Sequence, residues 1–235
     1  MGSKRRIAKE LSEIINKLIL DNGIKTYIEP FVGGANVIEF IKSDFKIGGD
    51  NNEYLIVLWK SLQKGYKPIE FISRDDFYEI KYNKEEFPKE VVALCGILAS
   101  YNGNWFRAYG GYSKTKTGKD RNFYDEGLRG LMKQVPFILD IEFRLCDYKE
   151  FTKSRNSLIY CDKPYDETDK TYKDKKFNHE EFWEWVRVMS RNNIVLVSEF
   201  DAPKDFKCIF EKKLGITHAR QKSKSTEKLF ILKNE

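Results

Sequence analysis

At 235 residues the chain has room for one large domain, or for a catalytic domain that carries an insertion. Apolar residues make up 41% and charged residues 33%, a globular balance, and no apolar run approaches the roughly 18 residues that span a bilayer. The formal net charge of +6 permits a polyanionic partner without identifying one.

Residues 5–20 set Ile7, Leu11, Ile14, Ile15, Leu18 and Ile19 at helical spacing, after a basic start with no signal-peptide apolar region, so a cytoplasmic location is expected. Tyr27 to Pro30 reads as a short strand, followed by the turn Phe31-Val32-Gly33-Gly34-Ala35-Asn36 and a helix over Val37 to Ile41. Phe45 to Gly49 is a second strand ending at Asp50, and Asn52 is placed to cap a second helix that runs to Leu62. This alternation predicts a parallel α/β sheet. It breaks between about residues 66 and 137, where aromatic, glycine and basic residues dominate. Strand signals return at Ile141 to Cys146, Leu158 to Cys161, Ile194 to Ser198 and Lys228 to Leu232, with a helix over His179 to Met189. The expected organisation is a sheet domain built from residues 1–65 and 138–235, interrupted by a mainly helical insertion at 66–137.

Cys95, Cys146, Cys161 and Cys208 lack metal-ligand spacing and are expected as free, buried thiols. With only His179 and His218 present, neither a metal site nor histidine-based catalysis is expected.

Three constellations carry chemistry. In Glu29-Pro30-Phe31-Val32-Gly33-Gly34 a strand runs into a glycine turn, where the backbone can approach a ligand. Glu29, just before the turn, can hold an ammonium group such as that of a free amino acid. Asp50, 16 residues beyond Gly34, occupies the place where an acid accepts hydrogen bonds from ribose hydroxyls, although a lone Asp there is more often a helix cap.

The most telling constellation is Leu158-Ile159-Tyr160-Cys161-Asp162-Lys163-Pro164-Tyr165, an apolar strand that delivers a carboxylate, a proline and an aromatic ring. Methylation of an exocyclic base amine calls for this set. Two acceptors on the amino hydrogens favour a tetrahedral nitrogen with its lone pair aimed at the methyl group, and Asp162 and the Lys163 carbonyl can supply them. The ring of Tyr165 can stack on a base swung out of the duplex.

These residues resemble the Dam-type N6-adenine-specific DNA methyltransferases, in particular their compact phage and mobile-element forms. Their Asp-Pro-Pro-Tyr hallmark is matched by Asp162-Lys163-Pro164-Tyr165, and their glycine motif and following acid by Glu29 to Gly34 and Asp50. An N-terminal element resembles Ser3-Lys4, and an acid–aromatic pair resembles Asp147-Tyr148, which in the family recognises the cofactor's adenine. The resemblance implies a Rossmann-like methyltransferase sheet and S-adenosylmethionine as cofactor, bound by Lys4, Glu29, Phe31, Gly33, Gly34, Asp50, Asp147, Tyr148 and Asp162. It also implies double-stranded DNA as partner, base flipping, and a bacterial or phage-infected cell as the setting, with a restriction partner, phage self-protection and gene regulation all open. The chain departs from the pattern at Lys163, which replaces the first proline, keeps the carbonyl and gives up the ring's rigidity. A DNA-binding relative impaired in catalysis is therefore the alternative reading. Lys163 also brings an ammonium towards a site expected to hold a cationic cofactor, unless its side chain points away.

The insertion offers Tyr101, Asn102, Trp105, Arg107, Tyr109, Lys114, Lys116 and Arg121 as candidate DNA contacts. Cations mixed with aromatics and glycines suit phosphate contact and base reading. The competing reading is a partly buried aromatic cluster beside a solvated basic loop. A second basic stretch, with Lys222 and Lys224, precedes the last strand and is a candidate phosphate contact.

Overall fold

The computed structural model describes residues 4–114, 117, 118, 120–163, 177–215 and 224–233. The strands β1 (Thr26–Glu29), β2 (Phe45–Asp50), β5 (Ile141–Leu145), β6 (Ser157–Cys161), β7 (Ile194–Glu199), β8 (Phe206–Gly215) and β9 (Lys224–Leu232) form one sheet in the order β5-β2-β1-β6-β7-β9-β8. β1 runs parallel to β2 and β6, and β6 parallel to β7, whereas β9 is antiparallel to both β7 and β8. Every residue of β6 is buried, as expected for a central parallel strand covered on both faces. The order reverses between β1 and β6, and at such a switch point the loops beyond the carboxyl ends part to leave a ligand crevice.

The chain divides into two compact units, Met1–Ser12, Gly33–Phe40 and Asp50–Leu145 in one, and Glu13–Val32, Ile41–Gly49 and Cys146–Glu235 in the other. In the first, Asn52 caps α2 (Glu53–Gln63) by accepting from the amides of Tyr54 and Leu55. α3 (Arg74–Tyr82) opens with a Ser73–Asp76 capping box, and α4 (Lys89–Leu94) runs into a π-helical turn, Cys95–Ala99. A short hairpin of β3 (Tyr112–Lys114) and β4 (Asp120–Asn122) leads into α5 (Phe123–Gln134). Ile72, Phe77, Ile80, Val92, Cys95, Phe106 and Tyr124 form the apolar cluster of this region. Gly96 makes that packing possible, because a Cβ there would sit 2.5 Å from the Trp105 ring.

In the second unit, α6 (His179–Ser190) turns Phe182, Trp185, Val186 and Met189 onto a cluster with Ile28, Tyr148, Ile159 and Val197. The i, i+3, i+4, i+7 spacing of those four residues is what makes the helix legible.

Four expectations need correction. The helix over Val37 to Ile41 is only a three-residue 3-10 turn, Ile38–Phe40. β8 was not anticipated. The last strand begins four residues earlier than its apolar run. Cys95, Cys146 and Cys161 are buried, but Cys208 is exposed on β8, next to a break in register at Cys208/Phe210.

Candidate active site

β1 ends on Glu29, which is 3% exposed. Tyr27 donates its hydroxyl proton to Glu29 Oε1 at 2.6 Å, and burial, followed by the Glu29 charge, raises the Tyr27 pKa well above its ordinary value. The carboxylate is thus fixed in a buried position by its own strand.

The turn that follows adopts a left-handed backbone at Gly33 (φ +45°), which favours glycine. Its groups are held from several directions. The Gly33 N–H donates to Asp50 Oδ2 at 2.9 Å, and the Gly33 carbonyl accepts from Trp59 Nε1 at 2.9 Å. Gln134 Nε2, at the end of α5, donates to the carbonyls of Gly34 (3.1 Å) and Ala35 (2.8 Å). The other oxygen of Asp50, Oδ1, accepts from the Asn52 N–H at 2.9 Å. Burial raises the Asp50 pKa, against the lowering effect of these backbone donors. A carboxylate oxygen has two lone pairs, so these bonds leave Asp50 further acceptor capacity.

Beyond β6, Asp162 is partly exposed and Lys163 is buried. The Lys163 ammonium is ion-paired with Glu199 at the end of β7, and bonds to His179 Nδ1 at 2.9 Å. It lies 5.7 Å from the ring centre of Phe177 and 5.6 Å from that of Phe182. The side chain is therefore turned into the protein and its charge is neutralised there. Three residues before Lys163 and one before Glu199, Tyr160 Oη and Ser198 Oγ share a 2.8 Å hydrogen bond. Burial, with Asp162 as the next contributor, raises the Tyr160 pKa. Pro164 and Tyr165 lie outside the described residues, as do Ser3, Lys116 and Lys222.

Asp147 caps the 3-10 helix Tyr148–Lys153, accepting from the Lys149 N–H at 2.9 Å, while Glu150 accepts from the Asp147 N–H at 3.0 Å. Tyr148 is buried with its ring 5.5 Å from Phe31 and 5.1 Å from Trp185, and burial raises its pKa to about 12. Phe31 and Tyr148, both assigned to the cofactor from sequence, thus form one aromatic patch. Lys4 is buried within a 3-10 turn, Lys4–Arg6.

The candidate DNA contacts separate into two groups. Trp105 packs against Phe106 and Tyr54, and Tyr109 donates to the Ile72 carbonyl at 2.9 Å, so both belong to the aromatic cluster. Tyr101, Asn102, Arg107 and Lys114 are exposed. The first three sit on a loop closed by Tyr101 N–H to Ala108 O and Gly110 N–H to Ala99 O, each 2.7 Å. Asn102 (φ 55°) and Phe106 (φ 48°) both take left-handed backbone, unusual for the latter above all. Arg121 pairs with Glu126 at 2.7 Å and lies over Phe123. Lys224 opens β9.

Sequence reasoning missed Trp59, Gln134, His179 and Glu199. Glu199 carried a usable signal, a lone carboxylate at the end of an apolar strand that could answer the odd lysine of the tetrapeptide. Trp59 and Gln134 sit in helices and carried none.

A mostly parallel sheet that reverses its strand order between β1 and β6, with a glycine turn following the first and a carboxylate following the second, is a Rossmann-like α/β fold. Residues 1–193 match the D12 class N6 adenine-specific DNA methyltransferase family, and the chain belongs to it: it is an adenine-N6 DNA methyltransferase. The Type II methyltransferase M.MjaIII of Methanocaldococcus jannaschii is 28% identical over 204 residues, covering 72% of this chain and 68% of the relative. Among solved structures, the rRNA methyltransferase aviRa of Streptomyces viridochromogenes aligns over 99% of this chain and 86% of its own, at 12% identity and a TM-score of 0.47. Among the described residues no helix is long and apolar enough to cross a membrane, and no group of three or more His, Cys, Asp or Glu could hold a metal.

Proposed function

We propose that the chain methylates a specific site in double-stranded DNA, with Asp162 and the Lys163 carbonyl as the two acceptors for the amino group of a flipped-out adenine. The observation that carries this reading is the placement of Asp162, partly exposed at the end of a fully buried central strand beside the sheet's switch point. Two acceptors on the amino hydrogens orient the nitrogen lone pair and stabilise the positive charge that grows on it.

The donor set fits S-adenosylmethionine. Glu29 offers a buried carboxylate for an ammonium group, and Asp50 offers acceptor capacity for ribose hydroxyls beside the glycine turn Gly33-Gly34. Phe31, Tyr148 and Asp147 suit a purine, the rings by contact area and Asp147 by hydrogen bonding, with Lys4 assigned by resemblance alone. When bound, the cofactor supplies an electrophilic methyl group on a sulfonium. The protein's residues orient and desolvate the amine, and no covalent enzyme nucleophile is needed. Tyr165 stacks on the extruded base, and Pro164 biases Lys163 towards extended backbone.

The insertion at 66–137 reads the DNA. Exposed Tyr101, Asn102 and Arg107 suit base edges, while Lys114, Lys116, Arg121, Lys222 and Lys224 suit phosphates. Trp105 and Tyr109 support that surface from within the aromatic cluster. The reaction takes place in the cytoplasm, where DNA and cofactor meet.

The test is label transfer from tritiated S-adenosylmethionine to fully unmethylated DNA. The wild type transfers label, and a folded Asp162→Ala variant loses several powers of ten in rate, each worth about 1.4 kcal/mol of barrier. A wild type that binds cofactor and DNA yet transfers nothing at high enzyme overturns the reading in favour of a DNA-binding relative without catalysis.

A further inference from the structure

We propose that Glu199 and His179 are positioning residues that hold the Lys163 main chain, and so its carbonyl acceptor, through the Lys163 side chain, replacing the restraint a proline ring would give. The inference rests on the proposed roles of Asp162 and the Lys163 carbonyl, and concerns how this chain keeps them in place.

The sheet register sets up the pair. Cys161 lies opposite Val197 across β6 and β7, so two residues further on Lys163 is level with Glu199. The two side chains are 1% and 9% exposed, and their charges meet. A lysine ammonium has donors only, so the Nδ1 of His179, the first residue of α6, accepts from it as a neutral imidazole. Glu199 Oε1 also accepts from the Phe200 N–H at 2.9 Å, which helps to orient the carboxylate towards the lysine. Phe177 and Phe182 flank the ammonium with their ring faces. A flexible four-carbon side chain is thereby tied to β7, to the start of α6 and to two aromatic rings.

Proline restrains the backbone at its own residue and at the one before. Lysine has no such effect of its own, so the anchor at the far end of its side chain is what can limit the motion of its peptide. The neighbouring Tyr160–Ser198 hydrogen bond ties the same two strand ends together.

A buried ion pair that serves only the fold would change stability and rate together. Five variants separate the two roles, each measured for single-turnover methyl transfer to unmethylated DNA, S-adenosylhomocysteine affinity by calorimetry, thermal midpoint, and deuterium uptake of the peptide spanning 158–163. Glu199→Gln is expected to lower the rate at least tenfold with cofactor affinity within about threefold, and to speed deuterium uptake. Lys163→Pro with Glu199→Gln is expected to recover at least tenfold over Glu199→Gln alone and to slow the uptake again. Lys163→Met with Glu199→Leu replaces the pair by apolar side chains of similar size. It is expected to keep the thermal midpoint while staying at least tenfold slow. His179→Ala is expected to lose several-fold in rate, and His179→Asn, which restores an acceptor, to regain most of it.

The proposal is overturned if rate follows thermal midpoint through the whole set, or if the Met/Leu pair is as fast as wild type. It is also overturned if the folded proline double variant gains nothing over Glu199→Gln. Should the proline variant not fold, the Met/Leu and His179 variants decide alone. Asp162→Ala run alongside separates the two levels: full activity there removes the catalytic reading itself, whereas an inactive Asp162→Ala beside a normal Glu199→Gln removes only the positioning role.

Discussion

The glycine turn after β1 and the proposed catalytic segment after β6 solve the same problem, an irregular stretch of backbone held still beyond a parallel strand, with different forces. At the turn, Asp50, Trp59 and Gln134 grip main-chain amides and carbonyls, so the restraint acts on the backbone directly. At Lys163 the restraint acts at the tip of a side chain, through one buried ion pair and its polar and aromatic neighbours. The first arrangement spreads its loss over several modest bonds. The second concentrates it, since removing one member leaves a buried charge without its counter-charge.

The largest expected effect therefore lies in the second region. Glu199→Ala, which strands the Lys163 ammonium, should cost about 3–5 kcal/mol in denaturant unfolding. A loss near zero would mean that water or another carboxylate takes over. Trp59→Phe keeps the ring stack on Phe143 but leaves the Gly33 carbonyl without its indole donor, and should cost about 1–3 kcal/mol and weaken S-adenosylhomocysteine binding. Gln134→Leu should cost about 1–2 kcal/mol, because it leaves the half-buried Gly34 carbonyl and the buried Ala35 carbonyl without their amide donor. Losses for Trp59 and Gln134 as large as that for Glu199 would erase the contrast.

The smallest effect is a pH dependence. Burial raises the Asp50 pKa, so the folded state holds its proton more tightly than the unfolded chain does. Its contribution to stability is complete below the ordinary carboxylate pKa of about 3.9 and is lost as pH rises through the raised value. Asp50→Asn removes that loss, so its thermal midpoint relative to wild type should rise as pH is raised from about 4 towards neutrality. A difference that stays flat with pH would contradict the raised pKa.

What the sequence made legible follows from where the information sits. β1, β2, β6 and β7 are short apolar runs bounded by turn residues, and each was placed within a residue or two. Asn52 announced the start of α2 through its side chain alone. Val37 to Ile41 looked helical because Val37, Ile38 and Ile41 are apolar, and all three are buried, but five residues cannot tell a helix from a tucked apolar turn. β8 was hidden because its charges at Lys207, Glu211, Lys212 and Lys213 and its register break blur the alternation of an edge strand. The carboxylates and glycines of the candidate site were visible as residue types in order. Their supports were not, because Trp59, Gln134, Glu199 and His179 act over separations of 16 to 100 residues.

The most direct test of the central claim, that Asp162 directs methyl transfer to adenine N6, is nucleoside mass spectrometry of unmethylated DNA after incubation with the protein and S-adenosylmethionine. The account predicts N6-methyladenine from the wild type and none from a folded Asp162→Ala. N4-methylcytosine as the product, or N6-methyladenine undiminished by Asp162→Ala, would contradict it.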